Sequence, residues 1–127
     1  MLETGIVGQR ALTVTEALTA QAMGSGLLPV LATPALIALA EKTAWQSVEP
    51  YLEPGQGTVG TLVNLRHLAA TTVGGVVTCE TKLMEIDRRR LVFSVIVRDK
   101  TGTVGEGIHE RFIVDNEKFM KKAAERQ

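Results

Sequence analysis

Three residues carry types and spacing from which acyl transfer can be built: Thr33, Glu41 and His67. A threonine hydroxyl is a nucleophile or a hydrogen-bond donor. A carboxylate is a base, and an imidazole, which titrates near neutral pH, shuttles protons between them. Glu41 falls four residues after Ile37 and four before Trp45, on or at the border of an apolar helical stripe. His67 ends an alternating run through Val59, Thr61, Val63 and Leu65, which turns it toward the core side. Thr33 stands at the start of the same helix, on the side of Ile37, with Glu41 eight residues further along it. A buried carboxylate is costly unless paired, so a histidine on the facing strand is a natural partner. Backbone N–H groups at a helix N-terminus can receive an oxyanion. Each residue also has a purely structural reading: Thr33 as an N-cap, Glu41 as an edge residue reaching water, His67 as a core histidine bonded to backbone. Their joint placement on facing elements distinguishes a site from three unrelated polar residues.

The elements that must position them follow from periodicity. Gly5 to Thr15 alternates as a strand, and Ala-rich Glu16 to Ala22 reads as a short helix. Gly24-Ser25-Gly26 then breaks the chain, as a mobile connection or lid. Thr33 precedes Pro34, a residue suited to the first helical position. Leu36, Ile37, Ala40, Ala44, Trp45, Val48 and Leu52 follow at helical spacing until Pro50 and Pro54-Gly55, a helix of about four turns. Period two returns in Val59 to His67, Val77 to Met84, Leu91 to Val97 and Val104 to Val114. Asp87-Arg88-Arg89 and Asp99-Lys100-Thr101-Gly102 are turns. Asp115 or Asn116 can cap a short helix running to Gln127. Strand, helix and four strands, the last three joined by tight turns, predict an α+β fold. In it a five-stranded antiparallel sheet wraps around one long helix.

The 127 residues suffice for one domain spanning 1–127 with its own core. An apolar fraction of 45% and a mean hydropathy of +0.13 exclude a disordered chain. Lys and Arg total 14, as do Asp and Glu, so no sequence-wide charge draws the chain to nucleic acid or anionic lipid. The single cysteine, Cys79, forbids an internal disulfide and suits a reducing cytoplasm. The start shows no signal-peptide pattern. The longest apolar stretch, around Leu27 to Ala40, is broken by Pro29, Thr33 and Pro34 and is too short for a membrane span. Cytoplasmic localisation is therefore expected.

Other polar features read mostly as structure. Cys79 lies on an apolar strand face. Arg88-Arg89-Arg90 is a solvated turn, or alternatively a grip on the phosphates of a nucleotide-like ligand. Glu106, His109, Glu110 and Arg111 form a mixed strand. His109 and Glu110 are neighbours and point to opposite faces, which argues against a local metal pair. No spacing matches a zinc or calcium site, a P-loop or a dinucleotide fingerprint.

Several segments together resemble the hot-dog-fold thioesterases of the fluoroacetyl-CoA thioesterase type. They are Val30-Leu31-Ala32-Thr33, Leu39-Ala40-Glu41, Tyr51-Leu52-Glu53-Pro54-Gly55, Gly60-Thr61, His67 with Ala69-Ala70-Thr71, His109-Glu110-Arg111 and Glu117-Lys118-Phe119. The resemblance implies a hot-dog fold and thioester hydrolysis with Thr33, Glu41 and His67 catalytic. It implies Gly60 at the substrate thioester and Arg111 near the acyl end of the pocket. It further implies a homodimer or larger homo-oligomer that binds acyl-CoA at the subunit interface, with no metal or redox cofactor. Two positions depart from the pattern. Met23 to Leu31 contains no aromatic residue, where the fluoroacetate-specific enzyme uses phenylalanines to close its pocket, so fluoroacetyl selectivity is not expected. Pro34 stiffens the start of the helix. Two rivals stand beside hydrolysis: an acyl-CoA or other acyl-ligand binder that performs no chemistry, and a dehydratase of the same fold.

Overall fold

The alternating runs form five strands, and the apolar helical stripe forms the element they enclose. A computed structural model describes residues Met1–Gln127. In chain order the elements are β1 (Val7–Thr13), α1 (Ala20–Met23), α2 (Thr33–Val48), β2 (Gln56–His67), β3 (Val76–Asp87), β4 (Arg90–Asp99), β5 (Gly102–Asp115) and α3 (Asn116–Glu125). The strands make one antiparallel sheet in the order β1-β3-β4-β5-β2. The meander β3-β4-β5 lies at its centre, as its tight turns require. Arg88 carries the first turn in the left-handed region at φ 58°. The Asp99 carboxylate secures the second by accepting from the N–H of Thr101 at 2.9 Å and of Gly102 at 3.1 Å.

One face of the sheet curls around α2. Leu83, Leu91, Phe93, Val95 and Val97 project from β3 and β4 onto Ala35, Leu36, Leu39, Ala40, Ala44 and Val48 of the helix. Full burial of a leucine such as Leu36 contributes about 1.5–3 kcal/mol. Gly8 of β1 admits the helix closely: a Cβ there would stand 2.7 Å from the Thr43 carbonyl and 2.8 Å from Ser47 Cβ.

Local details differ from the periodicity. The stretch expected as one short helix is a 3-10 turn at Glu16–Leu18 followed by α1, because the Thr19 hydroxyl caps α1 by accepting from the Ala22 N–H at 3.2 Å. The buried stripe of α2 runs through Ala35, Leu39 and Thr43, whereas Ile37 is half-buried and Trp45 exposed. Thr33, Ile37, Glu41 and Trp45 recur every four residues and form a separate row along the margin of the core. In β2 the expected alternation from Val59 to His67 is interrupted by a bulge at Thr61, where Gly60 pairs with Arg111 and Leu62 with Glu110. The extra residue reverses the faces. Val63, Leu65 and His67 point to the helix side, as do Thr58 and Gly60, and Val59 points away. Asp115 does stand at the N-cap of α3, but its side chain makes no capping bond and lies 3.7 Å from Arg89. No helix is long and apolar enough to cross a membrane.

Candidate active site

Thr33 does not cap the helix. Ala32 is the N-cap, Thr33 is the first helical residue, and Pro34 follows it. The hydroxyl is therefore free to turn toward the end of β2, where Thr33 Oγ1 lies 2.8 Å from Nδ1 of His67. Nε2 of the same ring is buried without a hydrogen-bond partner. The first turn offers few backbone donors. Pro34 has no N–H, and the N–H groups of Ala35 and Leu36 both donate to the Ala32 carbonyl, which leaves the Thr33 N–H as the donor without a partner in the helix. A cleft of about 280 Å³ opens beside this pair, walled chiefly by small side chains: Ala20, Ser25, Ala69 and Ala70, with Val30, Leu31 and Leu68.

Glu41 belongs to a second cluster. Its carboxylate lies 3.7 Å from Nη1 of Arg111 and retains 40% of its side-chain exposure. It reaches β2 where there is no side chain to meet it: a Cβ on Gly60 would stand 2.7 Å from Glu41 Oε2. The Arg111 guanidinium is buried and held at every corner. Nε donates to Thr58 Oγ1 at 2.8 Å, Nη2 to the Thr58 carbonyl at 3.0 Å, and Nη1 to Nε2 of His109 at 3.1 Å. His109 Nδ1 donates in turn to the Leu62 carbonyl at 2.8 Å. Burial pushes the His109 ring below its ordinary pKa; the Leu62 bond opposes this and the Arg111 charge adds to it. Burial also lowers Arg111, with Glu41 acting in the other direction.

The fold thus joins Thr33 to His67, and Glu41 to Gly60 and Arg111. Within one chain the carboxylate pairs with Arg111 instead of His67, contrary to the expected Glu–His pair. Eight helical residues separate Thr33 from Glu41, a rise of about 12 Å, so the helix itself spaces the two clusters. His109 and Thr58 join the site although neither is among the residues that the sequence pattern marks as catalytic. The legible signal was that His109 and Arg111, two apart on a strand, share a face. Glu110 points to the other face, as expected, and pairs with Arg90 at 2.9 Å. Arg90 also meets Glu85 at 2.9 Å, so it is neutralised where it stands. Cys79 is buried, and burial pushes its thiol up, which makes it a packing residue.

Comparison with known proteins adds independent findings. The family described as fluoroacetyl-CoA-specific thioesterase matches residues 14–117. A fluoroacetyl-CoA thioesterase of Streptantibioticus cattleyicolor is 37% identical over 97 residues, which are 76% of this chain and 70% of that protein. A solved structure of fluoroacetyl-CoA thioesterase superposes with a TM-score of 0.94 at 29% identity, covering 100% of this chain and 98% of that one. A hot-dog-like protein from Thermanaerovibrio acidaminovorans superposes at 0.90 with 23% identity, covering 98% of this chain and 93% of that one, a likeness of fold. The fold is therefore hot-dog, of the α+β class.

Proposed function

Because this chain belongs to the family of fluoroacetyl-CoA-specific thioesterases and is a thioester hydrolase acting on acyl-CoA, we propose that it cleaves a small or medium acyl-CoA with Thr33, His67 and Glu41. The observation that carries this is the 2.8 Å contact between the Thr33 hydroxyl and His67 at the mouth of a cleft. With the hydroxyl donating to Nδ1, the ring proton resides on Nε2. Thr33 Oγ attacks the thioester carbonyl and passes its proton to Nδ1. The tetrahedral oxyanion is received by the Thr33 N–H and, across the dimer inferred below, by the Gly60 region of the partner subunit. Collapse expels the CoA sulfur, which takes the proton from His67, and water then releases the acid from Thr33.

The unpaired Nε2–H calls for an acceptor, and the second cluster offers a carboxylate. β2 is a twelve-residue strand at the sheet edge, with Leu62 and Val63 exposed, a surface made for strand pairing. We infer a homodimer in which two β2 edges pair antiparallel. That arrangement carries the His67 end of one strand toward the Gly60 region of the other, so Glu41 of one protomer serves His67 of its partner. No metal or redox cofactor enters this scheme. The cleft's small walls and the lack of aromatics in Met23 to Leu31 leave room for small or medium acyl groups without fluoroacetyl selectivity.

The test is release of thiol from a panel of short, branched and aromatic acyl-CoAs, in EDTA. The expected outcome is turnover by the native chain and a loss of at least about a hundredfold in Glu41→Ala and His67→Ala. Full activity in both variants would overturn the site. Binding without release by the native chain would mark a non-catalytic acyl-CoA binder.

A further inference from the structure

We propose that His109 is a positioning residue for the thioesterase reaction: its Nε2 holds the Arg111 guanidinium so that Nη1 faces the Glu41 carboxylate. The inference rests on the reading of Glu41 as part of the reactive site and assigns a role to a group that reading does not use.

The hydrogen bonds on the ring decide its protonation and its function. His109 is 1% exposed. Its Nδ1–H is committed to the Leu62 carbonyl at 2.8 Å, so Nε2 is left as a lone-pair acceptor. An arginine has five N–H donors and no acceptor. Arg111 directs Nε and Nη2 to Thr58, and Nη1 to His109 at 3.1 Å and toward Glu41 at 3.7 Å. The imidazole and the carboxylate therefore share one nitrogen, and the imidazole holds the rigid guanidinium plane from its Nη1 side while Thr58 holds the other side. Without that acceptor the plane is anchored on the Thr58 side alone and can pivot about it, so Nη1 drifts from the half-exposed carboxylate and Glu41 turns to water. The charged groups around the ring are Arg111 and Glu110 on its own strand and Glu41 on α2. Packing alone does not ask for an acceptor: against Phe93, whose ring centroid lies 6.3 Å away, an apolar side chain would fill the same space.

Gln and Met at position 109 have nearly the same shape, and only Gln presents a strong acceptor. The experiment compares His109→Gln, His109→Met, Arg111→Met and the double variant H109M/R111M in the thiol-release assay, with Glu41→Ala alongside and thermal melting to verify folding. The expected result is a fall of about tenfold in kcat for His109→Met, largely recovered in His109→Gln, and no further loss in the double variant over Arg111→Met. Equal kcat for the Gln and Met variants, or losses that multiply in the double variant, would overturn the role. Should His109→Met fail to fold, His109→Phe, which keeps a ring against Phe93, replaces it with the same two criteria. If Glu41→Ala itself retains full activity, the underlying site is wrong. If Glu41→Ala is inactive while folded His109→Met turns over like the native chain, the role of His109 alone falls.

Discussion

At the scale of single residues, the site is a matter of which polar atoms have partners. Thr33 has one in His67, His67 Nε2 has none, and Arg111 is satisfied by three hydrogen bonds to two residues, Thr58 and His109, besides Glu41. His109 extends that accounting to solution behaviour. Its folded-state pKa lies below the ordinary 6.5 chiefly because burial disfavours the cation. The unfolded chain then binds a proton at this position that the native chain refuses. The resulting stability is complete above about pH 6.5 and is lost as the pH falls below that value toward the folded pKa. Denaturant titrations between about pH 7 and pH 5 are expected to show stability dropping with acid, and His109→Gln is expected to flatten the slope. An unchanged slope in that variant would place the titration elsewhere.

At the scale of elements, two glycines show how closely backbones approach and with what different consequences. A Cβ at Gly8 would press on the Thr43 carbonyl of α2 at 2.7 Å, and a helix backbone cannot step aside. Gly8→Ala is expected to lower stability by about 1–3 kcal/mol, read as a shift in denaturation midpoint, with kcat of the folded fraction unchanged. A Cβ at Gly60 would press at the same distance on the tip of the Glu41 side chain, which can swing away. Gly60→Ala is expected to cost little stability and to lower kcat by about tenfold or more. Reversal of the two phenotypes would contradict the packing described. The bulge at Thr61 is the device that lets Gly60 and His67 share the helix face of one strand, since an unbroken alternation places residues seven apart on opposite sides.

At the scale of the molecule, helix α2 keeps the Thr33–His67 pair and Glu41 about 12 Å apart along its axis. The antiparallel pairing proposed for the β2 edges brings them together between protomers. Leu62→Lys places a like charge near the same seam in both copies. Sedimentation is expected to report the monomer mass for this variant, with hydrolysis falling in parallel. A monomer of undiminished activity would show that one chain holds the whole site.

Much of this protein was legible before its tertiary structure. Period two against period 3.6 distinguishes five strands from one long helix, because each element must bury an apolar face with its own repeat. The resemblance around Thr33, Glu41 and His67 pointed to thioester chemistry. What stayed illegible depended on contacts distant in sequence. The single extra residue in β2 reverses the faces of that strand, yet it leaves no mark in an alternating run. The buried stripe of α2 is set by how the sheet curls over it, and this left Ile37 and Trp45 on its margin although both are apolar. The partner of Glu41 was decided the same way. Arg111 lies 70 residues away in sequence, and only the pairing of β5 with β2 brings it, with His109 behind it, beneath the carboxylate that Gly60 makes room for.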